Sequence, residues 1–312
     1  MLEKQKIVII GFGSQAKSWA LNLRDSGWLV HILLRENSQS LEIATNLNFD
    51  TLTLGKSSLE NFSNFAMLTP DHTHQQILSQ YQSYLPKKSR LIYAHGFSLV
   101  KNDLNKIFPN FIHLLLAPKS IASELRFLFE TKGKIAAAIS TEFSTNTSDK
   151  DFLLGLAKDL GITTGPFETN FQEETYTDLF SEQSILCSAI PYISKLSFEK
   201  LRAKGVSPEL AFIECWHEMK LIVDTIFKLG PIEFFKLISP NALIGGEKGR
   251  KVLFDQQFQK KLDILLDDIW EGRFNEEIDS SDFEQTKDEI IERWSASEFH
   301  TIYNKLNDEL KN

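Results

Sequence analysis

The chain has 312 residues, 42% of them hydrophobic and 24% charged, enough for two well-cored domains and unlike a disordered or fibrous chain. A net charge of −8, with no arginine-lysine tract, argues against nonspecific binding to nucleic acid or an anionic membrane. The two cysteines, Cys187 and Cys215, exclude a disulfide framework or a cysteine-rich zinc site and read as small buried hydrophobes.

The opening MLEKQKIVIIGFG holds an apolar run too short for a signal-peptide core or a membrane span, so a cytoplasmic location is expected. Strands are predicted at residues 7–10, 29–34, 65–68, 91–94, 112–116 and 136–140, with helical pattern between them. The first such helix, 14–26, ends before Gly27, a suitable C-terminal glycine. This alternation predicts an α/β domain with a Rossmann-type, doubly wound parallel sheet covered on both faces. After Gly165 the strand pattern stops, and helices are predicted at 175–201, 208–229, 256–270 and 282–294. The expected division is a dinucleotide-binding domain over 1–169 and an all-helical domain over 170–312.

Gly11-Phe12-Gly13-Ser14-Gln15-Ala16 lies between the first strand and its helix, with glycines where the turn is tight and where backbone must approach a pyrophosphate. It reads as a dinucleotide site, the other reading being a merely structural turn. The second strand ends at Arg35, where an NAD-binding protein would usually offer an acid. Arg35, Ser38 and Ser40 supply a cation and hydroxyls suited to a 2′-phosphate, hence NADPH. Glu36 beside them could instead serve NAD, and the whole loop could be simply solvated.

Asp178/Glu182 and Glu214/Glu218 are two i,i+4 carboxylate doublets in otherwise apolar helical stretches. Like charges in apolar surroundings call for a compensating group, most simply divalent cations. A single doublet on a solvated helix face would need none. His217 points to another part of its helix and reads as packing or as hydrogen bonding behind a ligand. The acidic stretch from Asp279 to Glu292 reads as a solvated helix face.

These residues together resemble the ketol-acid reductoisomerases, or acetohydroxyacid isomeroreductases. The likeness spans nearly the whole chain: GFGSQAKSWALNLRDSGW from Gly11, AHGF from Ala94, APK from Ala117, ETNFQEETYTDLFSEQSILC from Glu168 and FIECWHEMKLIVD from Phe212. The length is similar to the short, class I form. That resemblance implies a knotted helical domain, sites formed between two subunits, and a homodimer or higher homo-oligomer. It further implies two Mg²⁺ ions, with Asp178 bridging both, Glu182 ligating one, and Glu214 and Glu218 completing a shell from the partner subunit. Ser239, in Leu237-Ile238-Ser239-Pro240-Asn241-Ala242, matches the family's substrate serine. His95 and Lys119 match a histidine and a lysine near the chemistry, Glu182 being a plausible proton relay; taken alone, the first two could be a polar strand end and a loop lysine.

The activity so implied is Mg²⁺-dependent alkyl migration in a 2-acetohydroxy acid, 2-acetolactate or 2-aceto-2-hydroxybutyrate, followed by NADPH reduction to a 2,3-dihydroxy acid of branched-chain amino-acid synthesis. The chain departs from the family where Ser120-Ile121-Ala122 replaces a Gly-Pro-Gly stretch, where Pro240-Asn241 and Leu243-Ile244 alter the substrate serine's surroundings, and in opening almost at its first strand, where the family carries a short leader. Two other readings stay open: a paralogue acting on a different small 2-keto or 2-hydroxy acid, and a noncatalytic nucleotide-binding dimer.

Overall fold

The first strand, β1 (Lys6–Ile10), is apolar on both faces because both faces are buried. Ile7 and Ile9 enter one core with Trp19, Leu23 and Ile32, while Val8 and Ile10 enter another with Phe65, Leu78 and Tyr93. A continuous apolar run belongs at the centre of a sheet covered on each side. The other strands are β2 (Leu29–Leu34), β3 (Asp50–Thr53), β4 (Asn64–Met67), β5 (Arg90–Tyr93), β6 (Ile112–Pro118), β7 (Ala136–Phe143) and β8 (Thr164–Glu168). They form one sheet in the order β3-β2-β1-β4-β5-β6-β7-β8. Strand order reverses between β1 and β4, which leaves a crevice at the C-terminal ends of those strands, the place where open α/β sheets take ligands.

This computed structural model describes residues 5–310, and the chain divides into two units between Thr177 and Asp178. In the first unit the sheet is flanked by α1 (Ser14–Asp25), α2 (Ser40–Asn46), α3 (His74–Tyr81), α4 (Phe97–Asn102), α5 (Leu104–Ile107), α6 (Ala122–Thr131) and α7 (Ser148–Leu160). Fully buried Asn22 ties three of them: its side-chain amide on α1 donates to Leu160 O at 3.0 Å, and Arg126 of α6 donates to its carbonyl at 2.9 Å. α8 (Phe171–Ser181) then carries the chain into the second unit.

All six predicted strands form, within a few residues of their expected ends. The structure adds β3 and β8, whose sequences DTLT and TGPFE are short, polar or broken by glycine and proline, and are not fully buried. The expected doubly wound parallel sheet forms over the first six strands; β7 pairs antiparallel with β6, and β8 runs parallel to β7, so these last two strands oppose the first six. A strand's direction leaves no mark in its own sequence; the path of the connection sets it.

The second unit is helical, with α9 (Ala189–Ala203), α10 (Pro208–Phe212), α11 (Glu218–Leu229), α12 (Pro231–Leu237), α13 (Pro240–Leu253), α14 (Gln256–Trp270), α15 (Arg273–Ser280), α16 (Phe283–Ser295) and α17 (Glu298–Leu310). Its core is small and aromatic: Phe198, Phe212 and Phe299 meet with Ala211 and Ile302. The predicted helix 175–201 is interrupted by a π turn at Glu182–Leu186, and 208–229 contains another at Ile213–His217. The stretch from Asp279 to Glu292 is exposed almost throughout, as its charge predicts. Cys187 is exposed and Cys215 half-buried, so neither is the buried hydrophobe expected; each belongs to or borders a π turn. Among the described residues no helix is long and apolar enough to cross a membrane.

Candidate active site

The turn from β1 into α1 is shaped by two glycines doing different things. Gly11 has φ +94°, and a Cβ there would lie 2.7 Å from Thr69 Cγ2, so the turn demands glycine. A Cβ on Gly13 would meet nothing within 4 Å, which leaves its backbone open to a ligand. Gly13 caps α1 without a side chain, so the first N–H groups of that helix are available to an anion. Here a cavity of about 530 Å³ opens, with Gly11, Phe12, Gly13, Arg35, Ser38 and Ser40 in its wall. The structure thus gathers six of the eight predicted cofactor residues in one cleft. Ser14 and Gln15 stand beside it in the first turn of α1, and the Phe12 ring turns into the core, edge-on to Phe49 at 5.7 Å. Ser38 Oγ accepts from the Ser40 N–H at 3.3 Å, so its own proton can be given to a ligand.

The opposite wall includes Thr69 and Pro70, and a histidine not singled out from the sequence holds it in place. His74, 2% exposed, donates from Nε2 to the Thr69 carbonyl at 2.9 Å and accepts at Nδ1 from the Ser98 hydroxyl at 2.7 Å. Burial pushes its pKa down, so the ring stays neutral and keeps both bonds.

His95 and Lys119 lie just beyond β5 and β6, at the strand ends where the sequence puts them. The structure joins them through Glu174 of α8, a residue the sequence reading left out. Glu174 is 3% exposed; Lys119 Nζ donates to its Oε1 at 2.6 Å, the Gly96 N–H donates to Oε2 at 2.9 Å, and His95 Nδ1 donates to Oε1 at 3.3 Å. Burial pushes the Glu174 carboxyl up, but the hydrogen bonds and charges of His95 and Lys119 outweigh it and hold the pKa at about 2. A Cβ on Gly96 would press on the Thr175 hydroxyl and lie 2.8 Å from the Phe171 carbonyl oxygen, so glycine there admits α8 to the strand ends. The start of α8 is fixed in turn: Asn170 Oδ1 accepts the Glu173 N–H at 2.7 Å, and Glu142 accepts the Phe171 N–H at 3.1 Å. Below the cluster, Tyr93 donates to His113 Nδ1 at 3.0 Å while His113 Nε2 donates to the Phe108 carbonyl at 3.1 Å; burial lowers the His113 pKa to about 4. The segment after Lys119 is also anchored, since Ser18 Oγ donates to the Ala122 carbonyl at 2.6 Å, yet Ile121 is left 71% exposed.

In the second unit the two carboxylate doublets coincide with the two π turns. The Cys187 N–H donates to the Glu182 carbonyl at 3.0 Å, and the Glu218 N–H to the Ile213 carbonyl, both i→i+5 bonds. Such turns carry one extra residue and recur at functional sites. Asp178 is half-buried, but Glu182, Glu214 and Glu218 are exposed, which corrects the expectation that apolar helices surround all four. The segments that carry these three are themselves open: α11 and the π turn at Ile213–His217 bury no residue, and the turn at Glu182–Leu186 buries only Ser184. Burial and then the charges of Glu182 and Asp178 push the Cys187 thiol up. Hard oxygen donors of this kind, open to water and substrate, fit Mg²⁺. Ser239 is the N-cap of α13, its hydroxyl accepting the Ala242 N–H at 3.2 Å.

Residues 1–165 match the family model for "Acetohydroxy acid isomeroreductase, NADPH-binding domain", and residues 171–312 match that for "Ketol-acid reductoisomerase, C-terminal domain". The chain is 32% identical over 280 residues to the ketol-acid reductoisomerase (NADP(+)) of Methanococcus maripaludis, covering 89% of this chain and 84% of that one. It is 30% identical over 279 residues to the protein of the same name from Saccharolobus solfataricus, covering 89% and 83%. Among solved structures it is similar to an NADH-preferring ketol-acid reductoisomerase from an uncultured archean, with a TM-score of 0.85 and 26% identity over 97% of this chain and 94% of that one.

Proposed function

This chain belongs to the ketol-acid reductoisomerase family, and from that premise we propose that it isomerises and reduces 2-acetolactate or 2-aceto-2-hydroxybutyrate to a 2,3-dihydroxy acid. It is an NADP-dependent oxidoreductase acting on a small molecule. The observation that carries the finer reading is the buried Glu174, holding Lys119 and His95 at the strand ends of a chain both of whose halves match the family.

Gly11, Phe12 and Gly13 would hold NADPH, with Arg35, Ser38 and Ser40 to receive its 2′-phosphate, and the cofactor would supply the hydride. Two Mg²⁺ ions, held by Asp178 and Glu182 with Glu214 and Glu218 contributed by a second copy, would supply Lewis-acid stabilisation of the substrate's hydroxyl and ketone oxygens. The chain's own residues do the positioning. Glu174 takes one of the three ammonium donors of Lys119 and so aims the group at a developing alkoxide. The bond from His95 Nδ1 to Glu174 places a proton on Nδ1 and orients the ring at the strand end. Ser239 keeps its hydroxyl proton to donate to substrate while capping α13. Glu182 serves as the proton relay. A homodimer or higher oligomer, and a cytoplasmic location, are part of this reading. Exposed Ile121 next to Lys119 favours a second one, a paralogue whose pocket takes a different small 2-keto or 2-hydroxy acid.

The test is NADPH oxidation by the purified protein with 2-acetolactate and Mg²⁺, beside Glu182→Gln and a metal-free control. Turnover that needs metal and is lost in the variant supports the reductoisomerase; a folded protein that binds NADPH but turns over no acetohydroxy acid leaves the paralogue.

A further inference from the structure

The loop that bounds the cofactor cleft after β2 carries one acid, Glu36, beside Arg35. An acid at this place suits the ribose hydroxyls of NAD and repels a 2′-phosphate. Arg35, Ser38 and Ser40 line the cleft, whereas Glu36 is absent from its wall. Its carboxylate instead accepts from Lys56 Nζ at 2.6 Å.

The backbone presents both partners. The Leu54 N–H donates to the Leu34 carbonyl at 2.8 Å, so the end of β3 is registered on the end of β2. At Gly55, with φ +76°, a Cβ would sit 3.3 Å from the Tyr81 ring, and the Lys56 and Ser57 N–H groups donate to the Thr53 carbonyl at 3.1 and 3.0 Å. The Ser57 hydroxyl accepts the Thr53 N–H at 2.9 Å and closes this turn. On the other side Asn37 has φ 61° and the Ser38 N–H donates to the Arg35 carbonyl at 3.2 Å, which bends the loop between its cation and its serines.

We propose that Lys56, outside the loop, is a specificity-determining residue for NADPH over NADH: it draws Glu36 away from the cleft and cancels its charge, leaving the adenosine end cationic through Arg35. The pair is 61% exposed on each side and contributes little to folding, but the ligand it acts on carries a phosphate of nearly two charges. An uncompensated carboxylate within several ångströms of that phosphate weakens its binding roughly threefold to tenfold at an effective dielectric between those of protein and water.

The inference rests on the NADPH reading, and one experiment separates the two. Dissociation constants for NADPH and NADH are measured on the full chain for the wild type, Lys56→Ala, Glu36→Gln and the double variant, with thermal melts to confirm equal folding. Lys56→Ala is expected to lower the NADPH-over-NADH preference roughly threefold to tenfold, Glu36→Gln to keep or tighten NADPH binding, and the double variant to return to the wild-type NADPH constant. Tight NADPH binding with an unchanged preference in Lys56→Ala overturns the role of Lys56 and leaves the cofactor reading standing. Equal loss with and without Glu36 also overturns it, because Lys56 then meets the phosphate directly. Wild-type protein that binds neither nucleotide, or prefers NADH, overturns both.

Discussion

A carboxylate 3% exposed that holds an ammonium, an imidazole and a backbone N–H stays ionised to low pH. Because the Glu174 pKa falls from 4.5 to about 2 on folding, its contribution is complete above about 4.5 and is lost as pH falls toward about 2. The difference corresponds to about 3 kcal/mol. Urea unfolding between pH 6 and pH 2 should show this loss in the wild type and much less of it in Glu174→Gln. The same variant, keeping the shape but not the charge, should lower kcat at least about tenfold while leaving the NADPH dissociation constant within about threefold, since the cofactor cleft is built from other residues. A pH slope identical in both proteins would remove Glu174 from its role. Part of this was legible beforehand: Glu174 stands four residues before Asp178, which stands four before Glu182, so one helical period links all three. Its partners lie 55 and 79 positions upstream, at separations no local pattern connects.

At the scale of elements, the i,i+4 spacing found the carboxylate doublets but suggested ordinary α-helix, whereas each doublet meets a π turn. The turn at Ile213–His217 lies within an otherwise continuous helical course from Pro208 to Leu229, so it amounts to one inserted residue. Deleting Cys215 should therefore keep the helical circular dichroism while weakening Mg²⁺ binding, read by titration calorimetry, at least about tenfold, because Glu214 and Glu218 would then stand three apart on a regular helix. Unchanged Mg²⁺ affinity would show that the turn does not serve the metal. The strands divide by the same logic. β1, β2, β4, β5, β6 and β7 were legible as apolar runs, but β3 and β8 take their conformation from the neighbours they pair with at the sheet's two edges.

At the scale of the molecule, α11, α12 and α13 contain no buried residue, although Phe227, Ile232 and Ile244 are large and apolar. Phe227 is 86% and Ile244 71% exposed, so three consecutive helices leave large apolar side chains to water, as interaction faces do. A second copy of the chain is the occupant the proposed function requires, since it would also bring carboxylates to the proposed metal site. Light scattering should give at least twice the chain mass for the wild type. Phe227→Asp combined with Ile244→Asp should shift it toward the monomer and abolish metal-dependent turnover while leaving NADPH binding within about threefold, because the nucleotide cleft lies wholly in the first unit. A monomeric wild type that is fully active would overturn the shared site.

By itself the sequence determined what depends on local pattern: the glycine turn, the apolar strands, the period of the carboxylates and the change from mixed to helical structure near Gly165. Those features follow from backbone sterics and from burial of one face or two, which a short stretch of chain encodes. Only the tertiary structure decided that β7 and β8 run against the rest, that Glu174 joins Lys119 to His95, that Lys56 takes Glu36, and that three of the four paired acids are open in this chain. Each of these depends on side chains or strands brought together across loops, where the pairing energy comes from groups far apart in sequence.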